Sequence, residues 1–347
     1  MGGFWDNSWL AKTGTIVKCR ASGSRSKTGT PGVRRKSGPG VDRMPFSQQR
    51  TRAAIVLTLA VGLLSLPAGC ETIHPDRPAE PVVRSADPAP PPSQPNPTLP
   101  GKHATRRGCC VFYHDFELNT EDPLFAEPEI LPDQVYSELR LPPGNAVVQV
   151  FLFDSQERYE RYMFDPKFGR YKNQPARRAY FFAEPRIGGG EELKIFTWMG
   201  DHLRTDLRHE LTHALLNGVL KNVPLWLDEG LAGYFELPPS NEGVNAQHLD
   251  TLRRGPFLPD LARLEKLDQV KQMEKPEYRE AWAWVHFMLR SSPETRKVLL
   301  GHLQALRLNP NPGPLLPKLR EVTPNPDEAL AEHLAGIEYP QSRPQPK

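Results

Sequence analysis

Two histidines stand four positions apart in the segment DHLRTDLRHELTHALLNG, and a glutamate directly follows the first of them. Four residues of an α-helix turn through about 400°, so His209 and His213 project from one face and can share one metal ion. Neutral imidazole suits zinc, and two such ligands leave room for a third protein group and a water molecule. Glu210 is placed to accept a proton from that water, which gives a nucleophile for attack on an amide carbonyl.

A second segment, PLWLDEGLAGYFE, supplies the candidate third ligand, because an HExxH pattern alone is only moderately specific. We expect Glu229 to complete the metal site, with Asp228 as the rival, since Glu229 lies on the better helix face. Ala232 and Gly233 are small enough to let this helix approach the HELTH helix closely. Glu236 returns to the same face as Glu229 and is expected to hydrogen-bond a ligand imidazole.

HELTH followed by WLDEGLAGYFE resembles the gluzincin branch of metallopeptidases, which has the peptidase MA-like fold. The resemblance covers residues 202–237 strongly, and residues 259–289 resemble a set of largely uncharacterised bacterial envelope proteins with the same core. It implies a zinc hydrolase acting on peptide bonds, with the ligands and the base assigned above. It also implies a strand beside the active-site helix that pairs with extended substrate, for which EELKIFTWM (191–199) is the candidate.

Two departures from that family narrow the expectation. Fifteen residues separate His213 from Glu229, fewer than in thermolysin-like enzymes or the large aminopeptidases. The chain also has no counterpart of the Gly-x-Met-x-Asn element by which such aminopeptidases hold a free substrate amine. We therefore expect an endopeptidase that acts on a peptide or protein substrate.

Weaker candidates surround this core motif. Gluzincins often use a distant Tyr or His to donate a hydrogen bond to the developing oxyanion, and Tyr278 is the candidate here. Alternatively, Tyr278 is a half-buried residue that only contributes to packing. His286 lies in an apolar helix and is expected to be a core residue. Asp206 lies one turn before His209 and is a candidate to orient its imidazole, although the helix dipole also favours an acid there. His202 is expected at the surface and not as a fourth ligand.

Apolar patterning predicts an α+β fold in which a small, mostly antiparallel sheet precedes a helical half. Aromatic and β-branched residues cluster in four candidate strands, the last two joined by a Gly-Gly-Gly turn, over 111–118, 145–155, 176–184 and 191–199. Periodicity and Pro or Gly boundaries predict helices over 156–163, 202–217, 225–237, 259–268, 277–290, 293–306 and 327–336. With the HExxH helix in it, the helical half fits the zincin-like architecture that the resemblance implies.

Residues 44–70 have the features of an export signal. A basic stretch precedes an apolar run of 17 residues that ends in small residues and Cys70, and this run is short for a membrane-spanning helix. It resembles a bacterial lipoprotein signal, which predicts lipidation at Cys70 and a membrane anchor at the cell envelope. Pro67 stands where such signals usually have Leu, so an ordinary signal peptide or an uncleaved anchor is the alternative. Translation from Met44 would make residues 1–43 a gene-model extension.

The rest of the chain divides by composition. We predict an extended proline-rich linker, a metallopeptidase domain and a disordered tail, over 71–107, 108–337 and 338–347 respectively. Cys109 and Cys110 are adjacent, so they are not expected to form a zinc pair, and we assign them no catalytic role.

The charge distribution argues against a nucleic-acid partner. The net charge is +3, but residues 1–69 hold 11 of the 44 basic and 2 of the 41 acidic side chains, which leaves −6 for the remainder. A nucleic-acid binder is expected to keep its positive charge in the folded domain, where it neutralises phosphates.

Three functions stay open on sequence alone. Hydrolysis of peptide bonds at the envelope is the leading hypothesis. The alternative from another class is a non-catalytic, envelope-anchored interaction protein whose zinc site only joins two helices. Glu210 speaks against it, because a structural site has no use for a base. A hydrolase for another amide, such as a wall cross-link, is the third.

Overall fold

Five short strands form one sheet in the computed structural model, which describes residues 98–339, and the last four of them are rich in aromatic or β-branched residues. In chain order they are β1 (His103–Arg107), β2 (Cys110–His114), β3 (Val148–Phe153), β4 (Tyr180–Pro185) and β5 (Glu191–Trp198). Their spatial order is β1-β2-β3-β5-β4. Several predicted segments lie wholly or mostly outside the described residues, namely 1–43, 44–70 with its Cys70, the linker 71–107 and the tail 338–347.

The sheet is mixed, so the prediction of a mostly antiparallel sheet is wrong. β1 and β2 are antiparallel, as are β4 and β5, whereas β2 with β3 and β3 with β5 are parallel. Parallel neighbours need a crossover connection, and the chain provides one before β3 and another between β3 and β5, each containing a helix. The expectation that β5 pairs with substrate is also wrong, because β5 is already paired on both sides. β4 is the edge strand there.

Helices occupy most of the chain after β5. Within residues 98–339 there are ten α-helices, of which α1 (Glu127–Glu138) and α2 (Gln156–Phe164) fall between strands. The other eight are α3 (Leu203–Asn217), α4 (Leu225–Phe235), α5 (Ala246–Arg254), α6 (Leu261–Leu264), α7 (Lys275–Arg290), α8 (Pro293–Leu308), α9 (Leu316–Val322) and α10 (Pro326–Gly336). None of the helices in this part of the chain is long and apolar enough to span a membrane. The α+β class is confirmed.

Most predicted elements are confirmed, and the differences have local causes. Each predicted strand and helix overlaps an observed element, with bounds that differ by a few residues, although 259–268 is reduced to the short α6. Helix α1 escapes prediction because Pro128 lies in its first turn and Pro132 inside it. β1, α5 and α9 are also unpredicted, and β1 occupies the last residues of the stretch assigned to the linker.

Both faces of the sheet are largely buried from β2 to β5, where side chains alternate between two packed layers, whereas β1 is mostly exposed. Val150 and Ile195 point into the main core, which the helices complete. Phe196 and Trp198 point into a second, aromatic layer, in which Tyr159 of α2 lies 4.7 Å from Trp198 between ring centroids. Burial on both faces explains why the sequences of these buried strands are nearly continuous runs of apolar residues.

The adjacent cysteines lie at the turn between β1 and β2. Cys109 and Cys110 are both free, with their sulfur atoms 3.9 Å apart. Sγ of Cys109 donates a hydrogen bond to the carbonyl oxygen of Pro128 over 3.4 Å. Neither thiol belongs to the group of metal-ligating side chains described below.

Helix α4 packs closely against α7. A Cβ at Gly230 would lie 2.5 Å from the backbone oxygen of Ala281, so only glycine allows this approach. A Cβ at Gly233 would lie 3.7 Å from the side chain of Trp282, so Gly233 faces α7. We expected it to face α3, the HELTH helix. The contact fixes the position of α7 next to Glu229, which directly precedes Gly230.

Candidate metal centre

Three buried side chains from α3 and α4 converge on one point. His209 and His213 lie on the same face of α3, and Glu229 lies in the second turn of α4. Oε2 of Glu229 is 3.4 Å from Nε2 of His209 and 3.6 Å from Nε2 of His213. One ligand atom of each residue lies within 4.8 Å of the other two. This group could hold a metal ion.

The chemistry of these atoms fits a cation. Nε2 of His209, Nε2 of His213 and both carboxylate oxygens of Glu229 are buried and have no hydrogen-bond partner among the described residues. Buried polar atoms in proteins are almost always paired. A metal ion shared by the three side chains would satisfy both Nε2 atoms and one oxygen of Glu229. Three such ligands leave room in a tetrahedral shell for water or a substrate oxygen.

The remaining nitrogen of each imidazole, Nδ1, lies beside one further carboxylate. Nδ1 of His209 is 3.1 Å from Oε2 of Glu236, and Nδ1 of His213 is 3.2 Å from Oδ1 of Asp228. A carboxylate at Nδ1 favours the tautomer that presents an unprotonated Nε2 to a metal. Asp228, the rival for the third ligand, therefore lies behind His213 and outside the metal group.

Asn245 extends the contact between Glu236 and His209. Its Nδ2 donates to Oε1 of Glu236 over 2.8 Å, and its Oδ1 accepts from the backbone nitrogen of His248 at the start of α5. The side chain thus caps α5 and holds Glu236 in place. An asparagine before a helix is a recognisable cap signal, but its contact with Glu236 depends on tertiary folding, so sequence reasoning missed it.

Replacing Glu236 by Gln should weaken metal binding about 10- to 100-fold without unfolding the chain. Glutamine keeps the size of the side chain but removes the charge that stabilises the metal-binding tautomer of His209. Zinc affinity, measured by competition with a chromophoric chelator, checks this, with Glu157→Gln at the exposed start of α2 as the matched control. If Glu236→Gln binds zinc as tightly as the control, the Glu236 carboxylate does not support the centre.

Glu210 is buried directly beside the ligand group. Its Oε2 has no hydrogen-bond partner among residues 98–339. Burial raises the pKa of this carboxyl, and the neighbouring His209 and His213 act in the opposite direction. A carboxylate of raised pKa can take a proton from water and return it later in a reaction.

Tyr278 and Arg177 contact each other, and both lie within reach of the charge of Glu229. Nη2 of Arg177 donates to Oη of Tyr278 over 3.3 Å, and both side chains are buried. Burial raises the pKa of Tyr278 and the charge of Glu229 raises it further, so the hydroxyl keeps its proton. Since Oη accepts from Arg177, that proton remains available for another oxygen. Sequence reasoning missed Arg177. The one feature that could have indicated it is its position as a basic residue shortly before an apolar strand.

The other candidates have different roles from those expected or lie apart from the metal group. Nη2 of Arg178 donates to Oδ1 of Asp206 over 2.7 Å, so the expectation that Asp206 orients an imidazole is wrong. Burial raises the pKa of Asp206 to about 7, although Arg178 lowers it. The ring of His202 packs against Trp198 at 4.4 Å between centroids, and His286 is a buried core residue.

Arg208 anchors α3 at the position just before the first ligand, His209. Its Nε donates to the carbonyl oxygen of Phe235 over 3.0 Å, and its Nη2 donates to that of Leu237 over 2.8 Å. It also forms an ion pair with Glu127 of α1. One buried side chain therefore ties α3 to α1 and to the end of α4, which fixes the distance between the two ligand-bearing helices.

Metal binding should strengthen as the pH rises towards about 9. Burial lowers the pKa of His209, but the carboxylates of Glu229 and Glu236 outweigh burial and raise it to about 9. Asp228 and Glu229 likewise raise the pKa of His213, so below about pH 9 both imidazoles of the metal-free chain can carry a proton that binding must release. The apparent affinity should therefore gain about tenfold per pH unit for each proton released. Zinc titrations in buffers of different ionisation heat count the released protons. An affinity that does not change with pH would contradict the raised pKa.

Comparison with known proteins assigns no family to the chain. No family model matches the sequence, and no curated protein matches it significantly. The function of the centre is therefore inferred from its own residues.

Proposed function

We propose that the protein is a zinc-dependent peptidase of the gluzincin type, with a zincin-like pairing of α3 and α4. The observation that carries this proposal is the convergence of His209, His213 and Glu229 beside the buried Glu210. Two imidazoles and a carboxylate suit zinc, whereas calcium and magnesium prefer sets of oxygen ligands. Glu210 favours catalysis, because a purely structural site gains nothing from a buried carboxylate without a hydrogen-bond partner at Oε2.

The residues of the centre divide the work of amide hydrolysis. His209, His213 and Glu229 would hold a zinc ion, which would supply the Lewis acidity that lowers the pKa of a water molecule to about 7 and polarises a carbonyl. Glu210 takes the proton of the attacking water and delivers it to the leaving nitrogen. Tyr278, positioned by Arg177, donates a hydrogen bond to the developing oxyanion. Glu236 and Asp228 keep the two imidazoles oriented.

Strand β4 is the edge that we assign to an extended substrate. It forms one edge of the sheet, and no described strand pairs with its outer side. The ring of Phe181 in β4 stacks on that of His213 at 6.4 Å between centroids, so the edge runs close to the ligands. Backbone pairing along a strand edge holds internal segments of a chain, which favours endopeptidase activity.

The protein acts at the cell envelope, where lipidation of Cys70 anchors it to the membrane. This part of the proposal is supported by the signal pattern of residues 44–70, which lie outside the described residues. The proline-rich stretch that follows would act as a spacer between membrane and domain.

Cleavage of an unfolded protein by the zinc-loaded full chain tests the proposal. Denatured casein is incubated with the chain, with and without a chelator, and new peptide ends are identified by mass spectrometry. We expect internal cleavage that the chelator abolishes. Purified peptidoglycan, tested in parallel, reveals hydrolysis of a wall cross-link. A zinc-containing chain that cleaves neither would instead support an anchored interaction protein with a structural zinc site.

A further inference from the structure

A cavity of about 620 Å³ reaches Tyr278, the residue that we propose as the hydrogen-bond donor to the oxyanion. Arg177 and Tyr278 form part of its wall, together with residues 270–276 and Arg279. The hydroxyl of Tyr278 is the group that we place at the reacting carbonyl. The cavity therefore adjoins the position of the scissile bond, and its volume lies in the range of small-ligand sites.

Arg177 forms no ion pair with a carboxylate inside the described part of the chain. The residue is 7% exposed, and its Nε and Nη1 have no hydrogen-bond partner there. The neighbouring Arg178 and the buried Arg208, by contrast, each form an ion pair with a carboxylate. Burying a guanidinium with unsatisfied donors is costly. A ligand that brings hydrogen-bond acceptors into the cavity would remove that cost.

The wall of the cavity is positively charged. Among the described residues it contains Arg177, Lys271, Lys275 and Arg279, against the single acidic residue Glu274. The Glu274 carboxylate is engaged as the N-terminal cap of α7, where it accepts a backbone hydrogen bond. Nε of Arg279 is buried without a hydrogen-bond partner, as are the two nitrogens of Arg177. Both the charge and the unsatisfied donors select an anion.

We propose that this cavity binds a carboxylate of the peptide substrate next to the scissile bond, with Arg177 as its main partner and Arg279 and Lys271 as supporting charges. The inference rests on the proposed peptidase function, because carboxylates are the anions that peptides carry. Hydrogen bonds from a guanidinium to a carboxylate are among the strongest in proteins. The cavity would thus select substrates by charge, which pairing along β4 does not do.

A peptide can supply this carboxylate in two ways. A terminal carboxylate would make the protein a carboxypeptidase, and an acidic side chain would make it an endopeptidase that prefers Asp or Glu near the cleaved bond. A second cavity, of about 1010 Å³, shares Pro175, Val270 and Lys271 with the first. Space therefore continues beyond Lys271, and a bound chain is not forced to end there.

Matched peptide pairs test the proposal and distinguish the two sources. Acetyl-Ala-Ala-Phe-Ala as free acid and as amide tests the terminal carboxylate, and acetyl-Ala-Glu-Phe-Ala amide against its Gln counterpart tests the side chain. Binding is measured by calorimetry on the zinc-loaded full chain carrying Glu210→Gln, so that turnover does not interfere. We expect the carboxylate member of one pair to bind about 10- to 100-fold more tightly, and Arg177→Gln to abolish this preference.

The controls keep the test decisive. Arg186→Gln, on the exposed turn between β4 and β5, should leave the preference unchanged. If circular dichroism shows that Arg177→Gln does not fold, the exposed Lys271→Gln replaces it, with an expected loss of about threefold. Equal binding within both pairs would overturn the proposal, as would a preference that survives Arg177→Gln. The chain with native Glu210 is tested for cleavage of the same peptides. If it cleaves none of them although the carboxylate preference is present, the peptidase function is contradicted and the proposed anion site still holds.

Discussion

Replacement of Glu210 by Gln should lower peptide hydrolysis by about 100- to 10,000-fold while the chain keeps its metal. Glutamine has the size of glutamate but cannot accept a proton from water, so the step assigned to Glu210 is lost. The ligands His209, His213 and Glu229 are unchanged, and metal content should be unchanged too. Initial rates on a cleaved peptide and zinc content by mass spectrometry, taken from the same preparation, provide the two readouts.

Glu157→Gln is the matched control for this loss, since it makes the same chemical change at an exposed site that is distant in sequence from Glu210. It should hydrolyse the peptide at the native rate. A Glu210→Gln chain with native turnover would remove Glu210 from the mechanism. A chain that loses its zinc together with its activity would show that Glu210 supports the metal site and not proton transfer.

Replacement of His213 by Ala should remove both the metal and the activity. The change deletes one of three protein ligands, and sharing the typical binding free energy of a zinc site among its ligands gives a loss of roughly 100- to 1000-fold in affinity. Zinc content and hydrolysis measured at low free zinc check this result. His103→Ala, which removes an exposed imidazole from β1, is the control and should change neither. Full zinc occupancy in His213→Ala would contradict the assignment of this ligand.

The sequence predicts the helices of the centre well because their signals are local. The spacing of His209 and His213 places both on one face of α3. Glu236 follows Glu229 by seven residues, so it returns to the same face at the end of α4. The structure brings these side chains together and separates Glu229 from Asp228, which lies beside the other nitrogen of His213. Helical periodicity therefore predicts the faces on which the ligands lie, and the packing of α3 against α4 brings the two faces together.

The remaining features depend on contacts between distant segments. Parallel pairing in the sheet follows from the crossover connections, which strand patterning does not reveal. Arg177 and Tyr278 are separated by 101 positions and meet only in the folded chain. The role expected of Asp206 failed because Arg178, far from it in sequence, supplies a stronger partner. Position on one helix face therefore indicates proximity but does not determine which polar groups pair.

Metal content of the freshly purified full chain, measured by mass spectrometry beside Glu229→Ala, tests the three-ligand zinc centre most directly. We predict about one zinc per native chain and loss of that zinc in the variant. Circular dichroism of both proteins ensures that the comparison is between folded chains. A folded native chain without zinc, or a Glu229→Ala chain that keeps the native amount, would contradict the three-ligand zinc centre.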